Sequence, residues 1–358
     1  MVNRLVFLEV GVAVEDPKYF DPGLEKRGGD RGDYGVGGGR GAPRKYDCNS
    51  TCGLHLAHSR TEAAGLPSST TGALLGRSGM GIDKESLGYE TPAIEFSYTW
   101  RDTVMYALGV GATPDAELDF LYEGRGPQVL PTFCTIPTFA AFDSLVDRIG
   151  CDRGGMVHHS QEMNLFKPLQ PSGVLKVVGR VDGLYDLKRM AMAVFVIDAY
   201  DEEGDLIARG EVTLLLLKDG GFGGERPPRI ARAPAPDRDP DFETREPVAR
   251  SQALLYRLSG DYNPLHADPA FAAQVGFDRP ILHGLCTFGY AGRALVAHAC
   301  AGDPTRLSRF RGQFANPVFP GDTLVVRGWR EEGRTAVTVT TEERPAKLCL
   351  ANAYAVIR

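Results

Sequence analysis

The feature that most limits the possible folds of this chain is an internal repeat within residues 80–358. The run MYALG at residues 105–109 resembles LYRLS at residues 255–259. The run FKPL at residues 166–169 likewise resembles FANPV at residues 314–318. Both pairs keep the same order at a spacing near 150 residues, which favours duplication of one unit. Each copy would have the size of an ordinary domain.

We place the first repeat at residues 80–217 and the second repeat at residues 248–358, with a linker at residues 218–247. The linker contains a cluster of glycines followed by several prolines, so it is predicted to be neither a helix nor a central strand. Three strand patterns close each repeat, and a helix precedes them in the second. They lie at residues 174–184, 190–199 and 206–217 in the first repeat and at residues 323–330, 335–342 and 348–357 in the second. This arrangement predicts an α+β fold with antiparallel strands.

Three helices are predicted within the repeats. In the second repeat, Asp268-Pro269 begins a short helix that Gly276 closes. In the second repeat, residues 281–300 have helical spacing and a row of small residues, which we expect to pack closely against a sheet. In the first repeat, residues 138–149 are predicted to form a helix of about three turns.

The first 79 residues differ from the rest of the chain. They hold 15 of the 43 glycines, and eight of these lie between Gly28 and Gly41. Such a composition buries too little apolar surface to offset its loss of conformational entropy. We interpret residues 1–79 as a disordered extension, and we expect the functional part to begin near Met80.

Charge and cysteine content exclude several classes of protein. The net charge of −6 is unlike that of a dedicated nucleic-acid binder. No apolar run reaches the roughly 20 residues that cross a bilayer, so no membrane function is expected. Seven scattered cysteines suit reduced thiols better than a disulfide framework. With no recognisable signal peptide or C-terminal peroxisomal signal, a cytoplasmic location is expected.

The residues most suited to chemistry lie in a turn-rich loop of the second repeat. Gly260 precedes this loop and Asn263-Pro264 lies within it, which predicts tight bends rather than a helix. The bends would bring the carboxylate of Asp261 and the imidazole of His266 to one water. Gly284 follows near the predicted start of the long helix, where the helix dipole favours developing negative charge. An acid, a base and an oxyanion donor are the groups needed to add water beside a thioester carbonyl.

As a set, these residues resemble the MaoC-like hot-dog proteins, specifically the (R)-specific enoyl-CoA hydratases of the type 2 class. That class includes the hydratase part of peroxisomal multifunctional enzymes and free-standing bacterial relatives. The resemblance implies a double hot-dog fold, with two antiparallel sheets each associated with a helix. The matching runs are residues 105–112, 122–124, 130–133, 256–266, 276–289 and 314–324.

The resemblance also implies residue roles and a reaction. Asp261 and His266 would activate a water that Asn263 helps to orient, and the Gly284 N–H would hold the thioester oxygen. The substrate would be a trans-2-enoyl-CoA and the product a (3R)-3-hydroxyacyl-CoA, in a reversible reaction. Coenzyme A would be part of the substrate, and no metal or other cofactor is expected.

The first repeat lacks the acid–base pair. When Tyr106 is aligned with Tyr256, Gly111 takes the place of Asp261, and Ala116 takes that of His266. The family resemblance implies that this repeat houses the acyl chain. Hot-dog sheets commonly pair edge to edge, so a homodimer is also expected.

Further residues are weaker candidates for substrate binding. Arg257, Arg279 and Arg311 are candidates for contacts with the coenzyme A phosphates, although surface arginines usually have no specific partner. Glu123 and His158 match family positions in the first repeat. Either a role in supporting the site or a purely structural role fits these two residues.

Some residues with reactive side chains are not interpreted as catalytic or metal-binding. His283 is interpreted as a packing or hydrogen-bonding residue rather than a proton carrier. Cys48, Cys52, His55 and His58 have the residue types of a zinc site, but their spacing is too tight for a usual finger.

Three alternative functions remain open at this stage. A hot-dog dehydratase or thioesterase acting on other acyl thioesters would use a related site. A non-catalytic acyl-CoA-binding module would need no intact acid–base pair, whereas the second repeat retains Asp261 and His266.

Overall fold

The computed structural model describes residues 81–228 and 233–358. The predicted disordered extension, the expected start at Met80 and the cysteine–histidine cluster lie outside the described residues. Within the two described ranges, no helix is both long enough and apolar enough to cross a membrane.

The described strands are ordered along the chain in two groups of five. They are β1 (Ile94–Tyr98), β2 (Met156–Leu165), β3 (Gly173–Asp186), β4 (Ala191–Tyr200), β5 (Leu206–Leu216), β6 (Phe242–Pro247), β7 (Leu307–Phe314), β8 (Thr323–Glu331), β9 (Arg334–Thr341) and β10 (Leu350–Ile357).

The described α-helices are short, apart from the first and the last. They are α1 (Trp100–Gly109), α2 (Pro114–Glu117), α3 (Thr135–Thr138), α4 (Phe142–Ile149), α5 (Gln252–Tyr256), α6 (Pro269–Gln274) and α7 (Gly284–His298).

All these strands form one antiparallel sheet, and their order reads the same from both edges. The order is β1-β3-β4-β5-β2-β7-β10-β9-β8-β6. Each strand of the first repeat therefore has a counterpart at the mirrored place in the second. This order confirms the predicted α+β double hot-dog fold. The two five-stranded sheets are joined edge to edge through β2 and β7.

A buried ion pair crosses the seam between the repeats. Glu162 on β2 lies opposite Arg311 on β7, and its side chain is only 8% exposed. Arg309 donates two hydrogen bonds of 2.9 Å to the Glu162 carboxylate. Because an unpaired buried charge is costly, these contacts favour the observed pairing of β2 with β7.

Each repeat has a helix packed on its part of the sheet. Phe288 of α7 stacks on Phe310 of β7, with ring centroids 4.1 Å apart. Phe142 of α4 meets Phe195 of β4 edge to face at 5.9 Å. These phenylalanines are fully buried, so the core lies between the helices and the sheet.

The small residues of α7 do not all face the sheet, contrary to our prediction. A Cβ atom added to Gly289 would lie 2.4 Å from the side chain of Val110. A Cβ atom on Gly292 would lie equally close to Thr132. These glycines instead allow the first repeat to approach the helix, while Phe288 contacts the sheet. The helix begins at Gly284 because His283 still has an extended backbone, with φ −60° and ψ 138°.

Two other predicted segments differ in detail. The helix expected at residues 138–149 is divided into the end of α3, a 3₁₀ turn (Phe139–Ala141) and the eight-residue α4. The last six residues of the predicted linker form β6, which pairs with β8 at the edge of the sheet. Pro247 ends this strand, and an edge position tolerates its missing N–H.

Candidate active site

The loop that carries the predicted acid–base pair is held in shape by its own polar side chains. It follows α5 and reverses direction at Gly260, whose φ of +128° suits glycine. Asp261 Oδ1 accepts a hydrogen bond from the Asn263 N–H at 3.1 Å. Asn263 Oδ1 accepts one from the Leu265 N–H at 3.0 Å. Such local bonds explain why Asp and Asn occur at these bends.

His266 is held as a neutral base with a defined tautomer. Its ring is 2% exposed, and Nδ1 lies 2.9 Å from the carbonyl oxygen of Ile281. A carbonyl can only accept, so we assign the proton to Nδ1 and the lone pair to Nε2. Burial lowers the pKa of His266, although the nearby charge of Asp261 acts in the opposite direction. At neutral pH, Nε2 can therefore accept a proton.

The structure brings Asp261 and His266 together and adds His283 to them. The ligand atoms of these three side chains lie within 4.8 Å of one another. His283 stacks on His266 with ring centroids 3.6 Å apart. Its Nε2 donates a hydrogen bond of 3.2 Å to the main-chain carbonyl of Asp261. The sequence interpretation of His283 as a hydrogen-bonding residue agrees with this contact, but its partner could not be predicted.

The same three side chains have the composition of a divalent-metal site. Their ligand atoms lie close enough together to share either a metal ion or one water. We interpret the cluster as an acid–base site.

Gly284 occupies the first position of α7, where the helix dipole presents its positive end. It lines a cavity of about 20 Å³, which is enough space for about one water. Both repeats line this cavity. The lining residues are Val157, His158, Leu282, Gly284, Thr287, Phe314, Ala315, Asn316, Pro317, Val318 and Cys349.

The two first-repeat candidates behave differently. His158 lines the cavity beside Gly284, and its ring packs edge to face on Phe314 at 4.8 Å. Burial lowers the pKa of His158 to about 3, so its ring is neutral at physiological pH. Glu123 instead lies exposed in a 3₁₀ turn and does not line the cavity. The structure thus brings His158, but not Glu123, to the cavity beside Gly284.

The three candidate arginines also differ in their surroundings and in their exposure. The guanidinium of Arg257 lies 5.3 Å from the ring of Tyr262, and its charge lowers the pKa of His266. Arg279 is 57% exposed and 3.8 Å from Asp322. The side chain of Arg311 is only 12% exposed and faces Glu162 at 3.6 Å. Arg257 and Arg279 therefore stay candidates for phosphate contacts, whereas Arg311 belongs to the seam between the repeats.

Fold and site together define a double hot-dog protein that carries an acid–base pair in its second repeat. Comparison with known proteins identifies the family to which the chain belongs. The family model "MaoC like domain" matches residues 231–347, and "MFE-2 hydratase 2 N-terminal domain" matches residues 96–217. The chain belongs to the MaoC-like enoyl-CoA hydratase 2 family.

Individual relatives agree with this assignment. The chain is 43% identical over 268 residues to 3-hydroxyacyl-thioester dehydratase Y of Mycobacterium tuberculosis, covering 72% of this chain and 91% of that one. It is 37% identical to the peroxisomal enoyl-CoA hydratase 2 of Arabidopsis thaliana, with coverage of 72% and 90%. The crystal structure of a MaoC-like dehydratase from Phytophthora capsici matches with a TM-score of 0.70 at 30% identity, covering 78% and 98%.

Proposed function

We propose that this protein is an enzyme that hydrates trans-2-enoyl-CoA to (3R)-3-hydroxyacyl-CoA. The observation that carries the proposal is the neutral His266, with its basic Nε2, beside the carboxylate of Asp261. The relatives named enoyl-CoA hydratase support the substrate class. A place in fatty acid β-oxidation fits the relatives named peroxisomal multifunctional enzyme type 2.

In this reaction, Asp261 and His266 hold one water and remove a proton from it. The water oxygen bonds to C3, and the electrons of the C2–C3 double bond move toward the thioester oxygen. The Gly284 N–H and the dipole of α7 stabilise the resulting enolate. The acid–base pair then returns the proton to C2 on the same face. The reverse sequence dehydrates the product.

Asn263 has a structural part in this scheme. Its side-chain oxygen caps the 3₁₀ turn Pro264–His266, which carries the base. We propose that its amide nitrogen orients the water, as the family resemblance implies. Loss of Asn263 would then affect both the shape of the loop and the position of the water.

Several accompanying assignments are part of the proposal. The first repeat accommodates the acyl chain, and Arg257 and Arg279 are the candidates for phosphate contacts. The reaction as written uses side chains, the main-chain N–H of Gly284, water and the thioester, and it requires no further cofactor. We also propose a homodimer and a cytoplasmic location, both of which follow from sequence reasoning alone.

A direct assay tests the reaction. The full chain is mixed with trans-2-enoyl-CoA of short and long chain length, and the loss of the enoyl thioester absorbance is followed. A stereospecific dehydrogenase then assigns the configuration of the product. We expect the (3R) product from the natural chain. A folded protein that binds acyl-CoA without turnover would instead support a binding module.

The name of one relative, 3-hydroxyacyl-thioester dehydratase, favours the reverse direction as a second physiological function. Acid and base exchange roles in that direction, so the same residues serve both. Supplying (3R)-3-hydroxyacyl-CoA and a matching carrier-protein thioester separates the two cases. A clear preference for the carrier-protein thioester would make dehydration the main function. Release of free thiol would indicate a thioesterase.

A further inference from the structure

His283 lies in the middle of a stack of rings that ends at the proposed base. Its side chain is 1% exposed. One face meets His266, with centroids 3.6 Å apart and planes inclined by 25°. The ring of Tyr256 also lies near, at 4.9 Å. Its position is therefore tightly constrained by its neighbours.

The first repeat shows what the same position requires for packing alone. The offset of 150 residues that aligns Tyr106 with Tyr256 also aligns Phe133 with His283. Phe133 packs edge to face on Tyr106 at 5.5 Å. A phenylalanine therefore satisfies the ring contact, and the nitrogen atoms of His283 need another explanation.

That explanation lies in the acid–base loop. His283 Nε2 donates to the main-chain carbonyl of Asp261, whereas the residue aligned with Asp261 in the first repeat is Gly111. The second repeat, which has the acid Asp261, has a hydrogen-bond donor at this position. The first repeat, which lacks the acid, has the hydrocarbon ring of Phe133 there. The contrast connects the imidazole to the chemistry rather than to the core.

We propose that His283 is a positioning residue that directs both members of the acid–base pair at one water. Its Nε2–H fixes the main chain of Asp261, and its ring face fixes the imidazole of His266. This inference rests on the proposed hydratase function. Burial lowers the pKa of His283 well below its ordinary value, so the ring is neutral and its Nε2 proton is available for the bond. His283 itself transfers no proton.

The test uses His283→Phe in the full chain, because in the first repeat a phenylalanine, Phe133, contacts Tyr106, the residue aligned with Tyr256. With trans-2-butenoyl-CoA as the substrate, we expect kcat to fall about 10- to 100-fold, because misplacement of a reacting group by about 1 Å can cost 100-fold. We expect KM to stay within about twofold, because the variant removes no substrate contact.

Two further variants separate positioning from packing. His283→Gln keeps an N–H donor, and we expect its kcat to exceed that of His283→Phe by at least about fivefold, since one hydrogen bond contributes about 1 kcal/mol. Phe133→Leu loosens the equivalent ring contact in the first repeat. It should lower the melting temperature while leaving kcat for the short substrate within about threefold, because this variant keeps the hydrogen bond from His283 to Asp261.

Three kinetic results would overturn the proposal. They are a kcat for His283→Phe within twofold of the natural chain, an equal loss in His283→Gln, and an equal loss in Phe133→Leu. If the His283 variants do not fold, nitrogen NMR of the natural, histidine-labelled chain provides the test. We expect His283 neutral with its proton on Nε2 and His266 neutral with its proton on Nδ1. A neutral His283 with its proton on Nδ1 refutes the contact even if no hydratase activity is found.

Discussion

The two repeats share one framework but only the second has the groups needed for chemistry. The offset of 150 residues places Gly111 at the position of Asp261. At Gly111, φ is +82°, and an added Cβ atom would lie 2.4 Å from the ring of Tyr290. Tyr290 belongs to α7, the helix that begins at Gly284. The helix that presents its N-terminus to the active site thus also fills the place where a second acid would stand.

The comparison teaches that the packing of Tyr290 against Gly111 excludes a second acid from the first repeat. The same offset aligns Tyr290 with Ala140, which has no ring to occupy the corresponding space. Restoring an acid at position 111 would require removing Tyr290 and relieving the backbone strain. A single substitution therefore cannot recover a second acid–base pair in the first repeat.

The largest expected effect comes from removing the acid of the second repeat. Asp261→Asn should lower kcat/KM about 10²- to 10⁴-fold, because one proton-transfer group contributes about that much. The matched control is Asp115→Asn, an exposed residue of α2 in the aligned region of the first repeat. It should stay within about twofold, since an exposed charge contributes little. A loss of less than tenfold in Asp261→Asn would contradict the proposed chemistry.

A second prediction concerns the space that Tyr290 fills. Gly111→Ala should reduce the free energy of unfolding by about 2–4 kcal/mol, because it combines an unfavourable φ with a steric overlap. Urea denaturation measures this change. Gly333→Ala is the control, since Gly333 has a φ of +76° but nothing within 4 Å of an added Cβ atom. Its cost should be only about 1 kcal/mol. Equal costs would show that Tyr290 does not exclude a side chain at position 111.

The third prediction uses two histidines of the first repeat, the buried His158 and the partly buried His159. Burial lowers the pKa of His158 to about 3 and that of His159 to about 4, from 6.5 in the unfolded chain. Between these values and 6.5 the unfolded chain binds more protons. The stabilisation is therefore complete above pH 6.5 and decreases as the pH falls. At pH 5, each histidine should cost about 2 kcal/mol relative to pH 7.5.

Urea denaturation at the two pH values tests this, with His159→Gln as the comparison. That variant should lose about 2 kcal/mol less on acidification than the natural chain. An unchanged pH dependence would show that His159 is protonated in the folded protein.

In the second repeat, the lowered pKa of His266 also predicts that activity persists below pH 6.5 before the base is protonated.

The smallest expected effect separates two of the arginines. Arg279→Gln should raise KM for an enoyl-CoA about threefold, which is typical of one exposed charge, and added salt should weaken the difference. An enoyl thioester of N-acetylcysteamine lacks the nucleotide, so its KM should not change. Arg311→Gln should instead lower stability, because Glu162 in the seam would lose a partner. A larger KM effect in Arg311→Gln than in Arg279→Gln would reverse this assignment.

Local sequence was sufficient to predict the helices and strands that have clear capping residues or a clear alternation of polar and apolar residues. Asp268 caps α6 and Pro269 occupies its first turn, as the dipeptide predicts. The last three strands of each repeat were also predicted to within about two residues by their alternation. In contrast, β2 and β7 escaped prediction. They lie at the centre of the joined sheet, but both are rich in polar residues, and neither shows the apolar run or the regular alternation that predicts a strand.

The site could be predicted only in part. Asp261 and His266 lie five residues apart on one loop, so local geometry already brings them together. The hydrogen bond from His283 to Asp261 spans 22 residues and depends on how α7 meets the loop. Arg311 resembled other surface arginines in sequence, and only the pairing of β2 with β7 showed that it faces Glu162.

The sequence by itself was enough to recognise the duplication, the fold class and the residues able to move a proton. Each of these depends on residue type and on spacing along the chain. The tertiary structure decided how the two repeats differ. It directed the glycines of α7 toward the first repeat, filled the space at Gly111 with Tyr290, and assigned the tautomer of His266 through Ile281. These features depend on contacts between segments far apart in the chain, whose closeness is set by packing rather than by neighbouring residues.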